Sequence, residues 1–166
     1  FVFMPVFGLN QGAMPIMGYN YGAAKKDRLM QTYKEALKIA LLVMALGLLL
    51  FQALPKQLLL MFDASADMLA IGIPALRYIS LCFLPAAFGI ITGTLFQGTG
   101  HGVYSLLCSV IRQLIGILPL AFILIRIGGV TLSWASFPLA ELLGLAYSAL
   151  MLQRLYKNEI SKLGVQ

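Results

Sequence analysis

Three ionisable residues, Arg77, Arg112 and Glu141, stand about ten positions into runs of apolar side chains. In lipid, a charge at that depth is costly unless it is paired or wetted, so each is a candidate for function. Glu141, in Phe137-Pro138-Leu139-Ala140-Glu141, is the sole carboxylate of the sequence placed this way. A carboxyl desolvated there takes up a proton more readily than in water, which suits it to carrying a proton or attracting a cation. The other reading is pairing with a buried arginine, which would keep it charged and occupied. Arg77 and Arg112 can bond backbone carbonyls freed at proline kinks, face a water-filled cleft, or hold helices together as paired charges.

The amides Asn10, Gln11 and Asn20 form a second set. They can hydrogen-bond a small molecule or a neighbouring helix, the latter worth roughly 0.6–2 kcal/mol. Tyr78, Tyr19, Tyr21 and the methionines offer π faces and pliable sulfur to flat or cationic ligands. Tyr19 and Tyr21 lie beside Lys25, where anchoring at a membrane surface is the alternative. His101, in Gly98-Thr99-Gly100-His101-Gly102, reads as a solvated loop residue. Cys82 and Cys108 fall in apolar runs without CxxC spacing and read as plain buried thiols. No Walker A pattern, dinucleotide fingerprint, zinc spacing or Ser/His/Asp arrangement appears, so no enzyme, metal site or cofactor is expected.

Membrane helices are the elements that must position these residues. Of 166 residues, 60% are hydrophobic and 11% charged. A soluble domain carries about 25% charged residues, so the surface needed to cover a water-soluble core is missing. The expected fold is an all-α, polytopic transmembrane bundle. Spans of about 20 apolar residues are expected at 1–23, 32–54, 68–97, 103–125 and 132–156. The chain starts at Phe1 without a signal-peptide pattern and reads as internal to a longer protein. The segment 56–62 is amphipathic and suits the membrane surface. Asp63, Ser65 and Asp67 supply a helix start. Kinks are expected at Pro5, Pro15, Pro74 and Pro85. The span 68–97, at about 45 Å, must bend or tilt to fit a core of about 30 Å. Gly98–Gly102 and Arg126-Ile127-Gly128-Gly129 read as tight turns, Trp134 suits the aromatic belt, and the tail 157–166 reads as frayed. Three pairs, Gly8/Gly12, Gly18/Gly22 and Gly89/Gly93, have the spacing that lets helices approach closely.

The net charge of +6 is informative by position. Lys25, Lys26, Arg28, Lys34, Lys38, Arg154, Lys157 and Lys162 fall on one side of the alternating spans, against Lys56 and Arg126 on the other. By the positive-inside rule the tail is cytoplasmic and the protein a multi-pass protein of the inner, or plasma, membrane. No basic run interleaves with aromatics, so no nucleic-acid surface is expected.

The opening stretch, FVFMPVFGLNQGAMPIMGYNYGAAKKDR, contains an echo of itself. Met4-Pro5-Val6-Phe7-Gly8-Leu9-Asn10-Gln11-Gly12 recurs as Met14-Pro15-Ile16-Met17-Gly18-Tyr19-Asn20-Tyr21-Gly22. The run 10–23, with Lys25-Lys26-Asp27-Arg28, resembles the signature at the eighth transmembrane helix of the multidrug and toxic compound extrusion (MATE) family. Further similarity lies in Pro74-Ala75-Leu76-Arg77, Phe96-Gln97-Gly98-Thr99-Gly100, Arg112-Gln113-Leu114, Pro119-Leu120, Trp134 and Pro138-Leu139-Ala140-Glu141. The resemblance implies the C-terminal half of a two-bundle fold, helices eight to twelve, whose partners are the missing N-terminal bundle, membrane lipid and a small substrate. It implies secondary active efflux of cationic or amphipathic compounds, coupled to Na+ or H+ antiport. Some sodium-coupled members carry an acidic residue in the middle of the tenth helix. Here that position reads Arg77-Tyr78-Ile79-Ser80-Leu81-Cys82-Phe83, without a carboxylate. A lipid-linked saccharide flippase of the same superfamily, or a non-transporting membrane assembly or channel subunit, is the alternative.

Overall fold

The computed structural model describes residues 2–164. Phe1 of the first expected span, and Val165 and Gln166 of the tail, lie outside the described residues. Eight α-helices follow in order: α1 (Phe3–Gly22), α2 (Lys26–Ala53), α3 (Pro55–Leu60), α4 (Ala66–Ser80), α5 (Phe83–Gly98), α6 (Gly102–Val110), α7 (Leu118–Ser133) and α8 (Ser136–Asn158). A π-helical stretch, Ile111–Ile117, joins α6 to α7, and a 3-10 turn, Ile160–Lys162, follows α8. Two helical runs, Lys26–Ala53 and Gly102–Ser133, are long and apolar enough to cross a membrane; α4 with α5 makes a third if the bent pair is one span. Helices α1 and α8 have the length, 20 and 23 residues, but the amides of α1 and Glu141 of α8 lower their apolarity.

The core lies between α1, α2 and α5. Met17, Leu29, Met44, Ile91, Leu95 and Phe96 are fully buried there. Along α2 the buried positions are Leu29, Tyr33, Ala36, Ala40, Met44 and Gly47, a stripe with the spacing of one helix face. Ile39, Leu42, Leu46 and Leu49 on its other side are exposed. A soluble protein hides such side chains; a helix facing lipid does not need to.

Close approach between α1 and α5 comes at Gly18 and Gly98. A Cβ on either would stand 3.1 Å from a backbone oxygen of the other helix. Of the other expected positions, a Cβ on Gly8, Gly12, Gly22 or Gly89 would meet nothing within 4 Å, while one on Gly93 would stand 3.2 Å from Ser105 Oγ of α6. Spacing alone does not say which face of a helix finds a neighbour, so the working pair joins two helices that the sequence pattern had not connected.

The prolines act unequally. Pro5 sits near the start of the described part of α1. Helix α1 continues through Pro15, and α4 through Pro74. The large bend comes at Leu81–Cys82, where α4 and α5 meet at 49°. Pro85 lies four residues beyond Leu81 and cannot donate to its carbonyl. The Arg77 carbonyl, freed at the break, is taken up locally and by α2. Gln52 Nε2 donates to the Arg77 carbonyl and to Ser80 Oγ, both at 2.9 Å. Ser80 Oγ donates to the Arg77 carbonyl at 3.0 Å. Ser65 caps α4, its Oγ accepting from the Met68 amide at 3.3 Å.

Two boundaries differ from expectation. The turn expected at Arg126–Gly129 is a kink at Gly128 and Gly129, the latter at φ 67°, followed by one more helical turn. The last helix therefore starts at Ser136, four residues after the expected start at Leu132. The described part of the tail, up to Gly164, is docked and not frayed. Ile160 is fully buried in the core and Leu163 packs against it.

Candidate functional site

A cavity of about 220 Å³ lies between α1, α5, α6 and α8. Four helices contribute one polar group or more each. Asn10 comes from α1, Gln97 from α5, Ser105 and Ser109 from α6, Arg112 from the π-helical stretch and Glu141 from α8. Three of the six residues singled out by charge or amide chemistry above, Asn10, Arg112 and Glu141, are thus brought to one hollow.

Arg112 Nη1 donates to Glu141 Oε1 at 3.0 Å. Their side chains keep 26% and 12% exposure, so the pair is largely withdrawn from solvent. Of the two roles open to Glu141, the geometry is that of a carboxylate paired with an arginine. Breaking such a pair leaves a bare buried charge, which costs far more than the pair contributes. The local fold makes room for it. Gly144 lies one turn beyond Glu141, and a Cβ there would rest 3.6 Å from Arg112 Cβ, an ordinary contact that places Arg112 against α8. Gly116 lets the π-helical stretch press against Ala140, whose Cβ is 2.7 Å from where a side chain would start. The π-helical stretch itself, one residue wider per turn, carries Arg112; such stretches gather at functional sites.

The amides separate. Asn10 bonds the Thr94 hydroxyl of α5, tying two helices at the cavity wall. Asn20 is buried and donates to the Ile16 carbonyl of its own helix at 2.8 Å. Gln11 is exposed, away from the cavity lining. Arg77 is exposed and Tyr78 half-buried; both line a second hollow of about 440 Å³ with Gln52, Pro74 and Thr131. Arg77 and Arg112 therefore do not converge on one site.

Sequence reasoning missed Gln97, Ser105 and Ser109. Gln97 Nε2 donates to Ser105 Oγ at 2.9 Å, bridging α5 and α6 across the glycine turn. The serines at 105 and 109, four apart, share a helix face, and that spacing was the available signal. Cys108 stands between them in sequence, and its Sγ is 3.1 Å from Ser148 Oγ of α8. His101 departs from the solvated loop residue expected. Its Nε2 is 2.9 Å from Glu159 Oε1, its Nδ1 is 3.1 Å from the Thr99 carbonyl, and its ring stacks on Tyr104. The Tyr21 hydroxyl donates to the other oxygen of Glu159. That bond, with His101 behind it, holds the Glu159 carboxyl below the usual carboxylate range.

The MatE family model matches residues 1–123. A search of curated proteins finds no match. The chain is similar to the MATE multidrug transporter DinF-BH, at 31% identity over 96% of this chain and 35% of that one, with a TM-score of 0.86. It is similar in fold to a MOP superfamily transporter from Pyrococcus furiosus Vc1 (DSM3638), reported as having a binding pocket of reverse polarity that suggests a different function. That match has 22% identity over 98% of this chain and 36% of that one, and a TM-score of 0.85. The inward-facing conformation of a multidrug resistance MATE family transporter matches with a TM-score of 0.83, at 22% identity over 95% of this chain and 38% of that one. An outward-facing conformation matches with a TM-score of 0.82, at 23% identity over 95% of this chain and 37% of that one. The chain spans a little over a third of the length of these structures.

Proposed function

The chain belongs to the MatE family, and on that premise we propose that it is part of a membrane transporter that exports cationic or amphipathic compounds in exchange for Na+ or H+. The observation that carries this reading is the polar hollow between α1, α5, α6 and α8, built inside an otherwise apolar bundle and holding the Arg112–Glu141 pair. At about 220 Å³ it is smaller than the roughly 300–1,000 Å³ of ordinary ligand pockets. It is one wall of a site, and the missing N-terminal bundle would supply the other. Family members occur in inward- and outward-facing forms, so rocking between bundles around such a site gives alternating access.

In this hollow Glu141 does not act as a free cation trap, because Arg112 neutralises it. A substrate cation would meet Asn10, the serine hydroxyls and the Phe7 ring, with the ion pair as a fixed dipole. The coupling carboxylate would then belong to the other bundle. The membrane is the inner, or plasma, membrane, with the docked tail on the cytoplasmic side.

Export of a saccharide lipid asks for several converging cations to hold pyrophosphate. Arg112 is committed to Glu141 and Arg77 lines a separate hollow, which favours the efflux reading. The test is accumulation of ethidium in cells making the full-length protein, with and without a sodium or proton gradient. Gradient-dependent lowering of accumulation is expected. Accumulation unchanged by the protein under both gradients overturns the reading.

A further inference from the structure

A third hollow, of about 400 Å³, opens where α1 passes to α2. Its wall on one side is the turn Ala24–Arg28, and on the other Leu163 and Gly164 of the tail. Lys25, Lys26 and Arg28 line it against a single carboxylate, Asp27. None of these three cations has a carboxylate within salt-bridge reach among the described residues. Lys26 lies over the Tyr156 ring at 5.5 Å, a contact that orients the ammonium without neutralising it. Lys38, twelve residues along the same helix, is by contrast paired with Glu35 at 2.7 Å.

The hollow exists because the tail is held. Glu159 grips Tyr21 at the end of α1 and His101 in the turn after α5. Ile160 is buried beneath the 3-10 turn. This brings Leu163 and Gly164 across the basic turn and converts an open loop into a walled site. The site lies where the apolar length of α1 ends, with Ile16 and Tyr19 exposed in the turns before it. An occupant must therefore offer concentrated negative charge at the boundary between hydrocarbon and water.

We propose that this hollow binds a phosphate anion, namely the headgroup phosphate of an acidic phospholipid, between the basic turn and the latched tail. Two excess positive charges at a membrane boundary favour an anionic headgroup over a zwitterionic one. The tail's latch makes the site depend on Glu159, a residue that does not line it.

The test is retention of lipid by the full-length protein in detergent, read by native mass spectrometry after equal exposure to phosphatidylglycerol and phosphatidylcholine. Phosphatidylglycerol should be retained in preference, and Lys25→Ala with Arg28→Ala should lower its retention roughly ten-fold or more. Both side chains are exposed, so the fold does not depend on them. Lys34→Ala with Lys38→Ala removes the same charge from the same helix outside the hollow, and retention should stay within about two-fold. Asp27→Asn should raise retention, and Glu159→Gln should lower it by loosening the tail. Equal losses in the two double variants, or no preference for phosphatidylglycerol, overturn the proposal. Protection of Lys25 from acetylation by inorganic phosphate but not by phosphatidylglycerol overturns the lipid assignment and leaves a site for free phosphate.

Discussion

Helices α1, α2 and α5 and helices α6 to α8 have similar apolar composition but opposite organisation. The first group interlocks. Met17, Leu29, Met44, Ile91, Leu95 and Phe96 are fully buried, and Tyr33 Oη meets Thr92 Oγ1 at 2.9 Å inside the same core. In the second group neither α6 nor α7 has a buried residue. Phe122, Ile123, Ile127 and Val130 of α7 stand open. What joins this group together is the Arg112–Glu141 pair, the contact of Gly116 with Ala140, and the Cys108–Ser148 contact. Apolar burial against protein is thus concentrated in one half. The other half keeps its apolar surface for lipid or another bundle, and its polar groups for the cavity. In lipid that division is tolerated, since a leucine facing acyl chains is not destabilising.

The sharpest way to break this contrast is Arg112→Ala. It leaves Glu141 desolvated without a partner, at a cost of about 2–4 kcal/mol, somewhat below a fully sealed pair because the site keeps some water. A large drop in apparent Tm of the purified protein is expected. Arg112→Met with Glu141→Gln removes both charges and should recover most of that drop while still impairing the proposed efflux. If the single and double variants melt alike, the second half is not held by the pair.

Phe96→Ala probes the first half. Transfer to lipid supplies little of its cost, so the cavity term dominates: at about 24 cal/mol per Å³ over roughly 100 Å³, the loss is about 2–3 kcal/mol. Phe122→Ala on α7 removes the same atoms from an exposed site and should change Tm by no more than a degree or two. Equal effects would erase the contrast.

Gly98→Ala sharpens it at the α1–α5 crossing. The new methyl would sit 3.1 Å from the Met14 carbonyl oxygen, backbone that cannot swing away. A cost of about 1–2 kcal/mol is expected. Gly22→Ala, which meets nothing, should lie within about 0.5 kcal/mol of the parent.

These contrasts explain what could be read from the residues alone. The all-helical membrane fold was legible, because low charge and long apolar runs leave no other way to satisfy the backbone in lipid. The role of each proline was not. The helix of Pro85 is bent where Gln52, from another helix, takes up the Arg77 carbonyl, while α1 runs on through Pro15. Arg112 and Glu141 were each conspicuous, but their contact across 29 residues depends on the register of the π-helical stretch against α8, and hence on Gly116. Asn20 bonds a carbonyl of its own helix through Nδ2, a choice that composition does not reveal. Ile160 and Leu163, apolar residues three apart among polar ones, were the hint that the tail docks.

The smallest expected effect concerns that tail. Its latch ties the interlocked half, through Tyr21, to the end of α8. Glu159 is held below its ordinary pKa by the Tyr21 hydroxyl first and His101 second. A carboxyl depressed by folding stabilises the docked form above its ordinary range and loses that contribution as pH falls through the depressed value. The amides of Lys162 and Leu163, which donate to the Glu159 and Ile160 carbonyls, should therefore keep their hydrogen-exchange protection from neutral pH down into the ordinary carboxylate range, after correction for intrinsic exchange, and lose it below that range. Glu159→Gln should reproduce the loss at neutral pH, by about 0.5–1 kcal/mol, a modest value because the carboxylate is partly exposed. The core amides of α2 and α5 should not respond to either change. Protection that declines in tail and core together would mean that the tail is part of the interlocked half and not a separable latch on it.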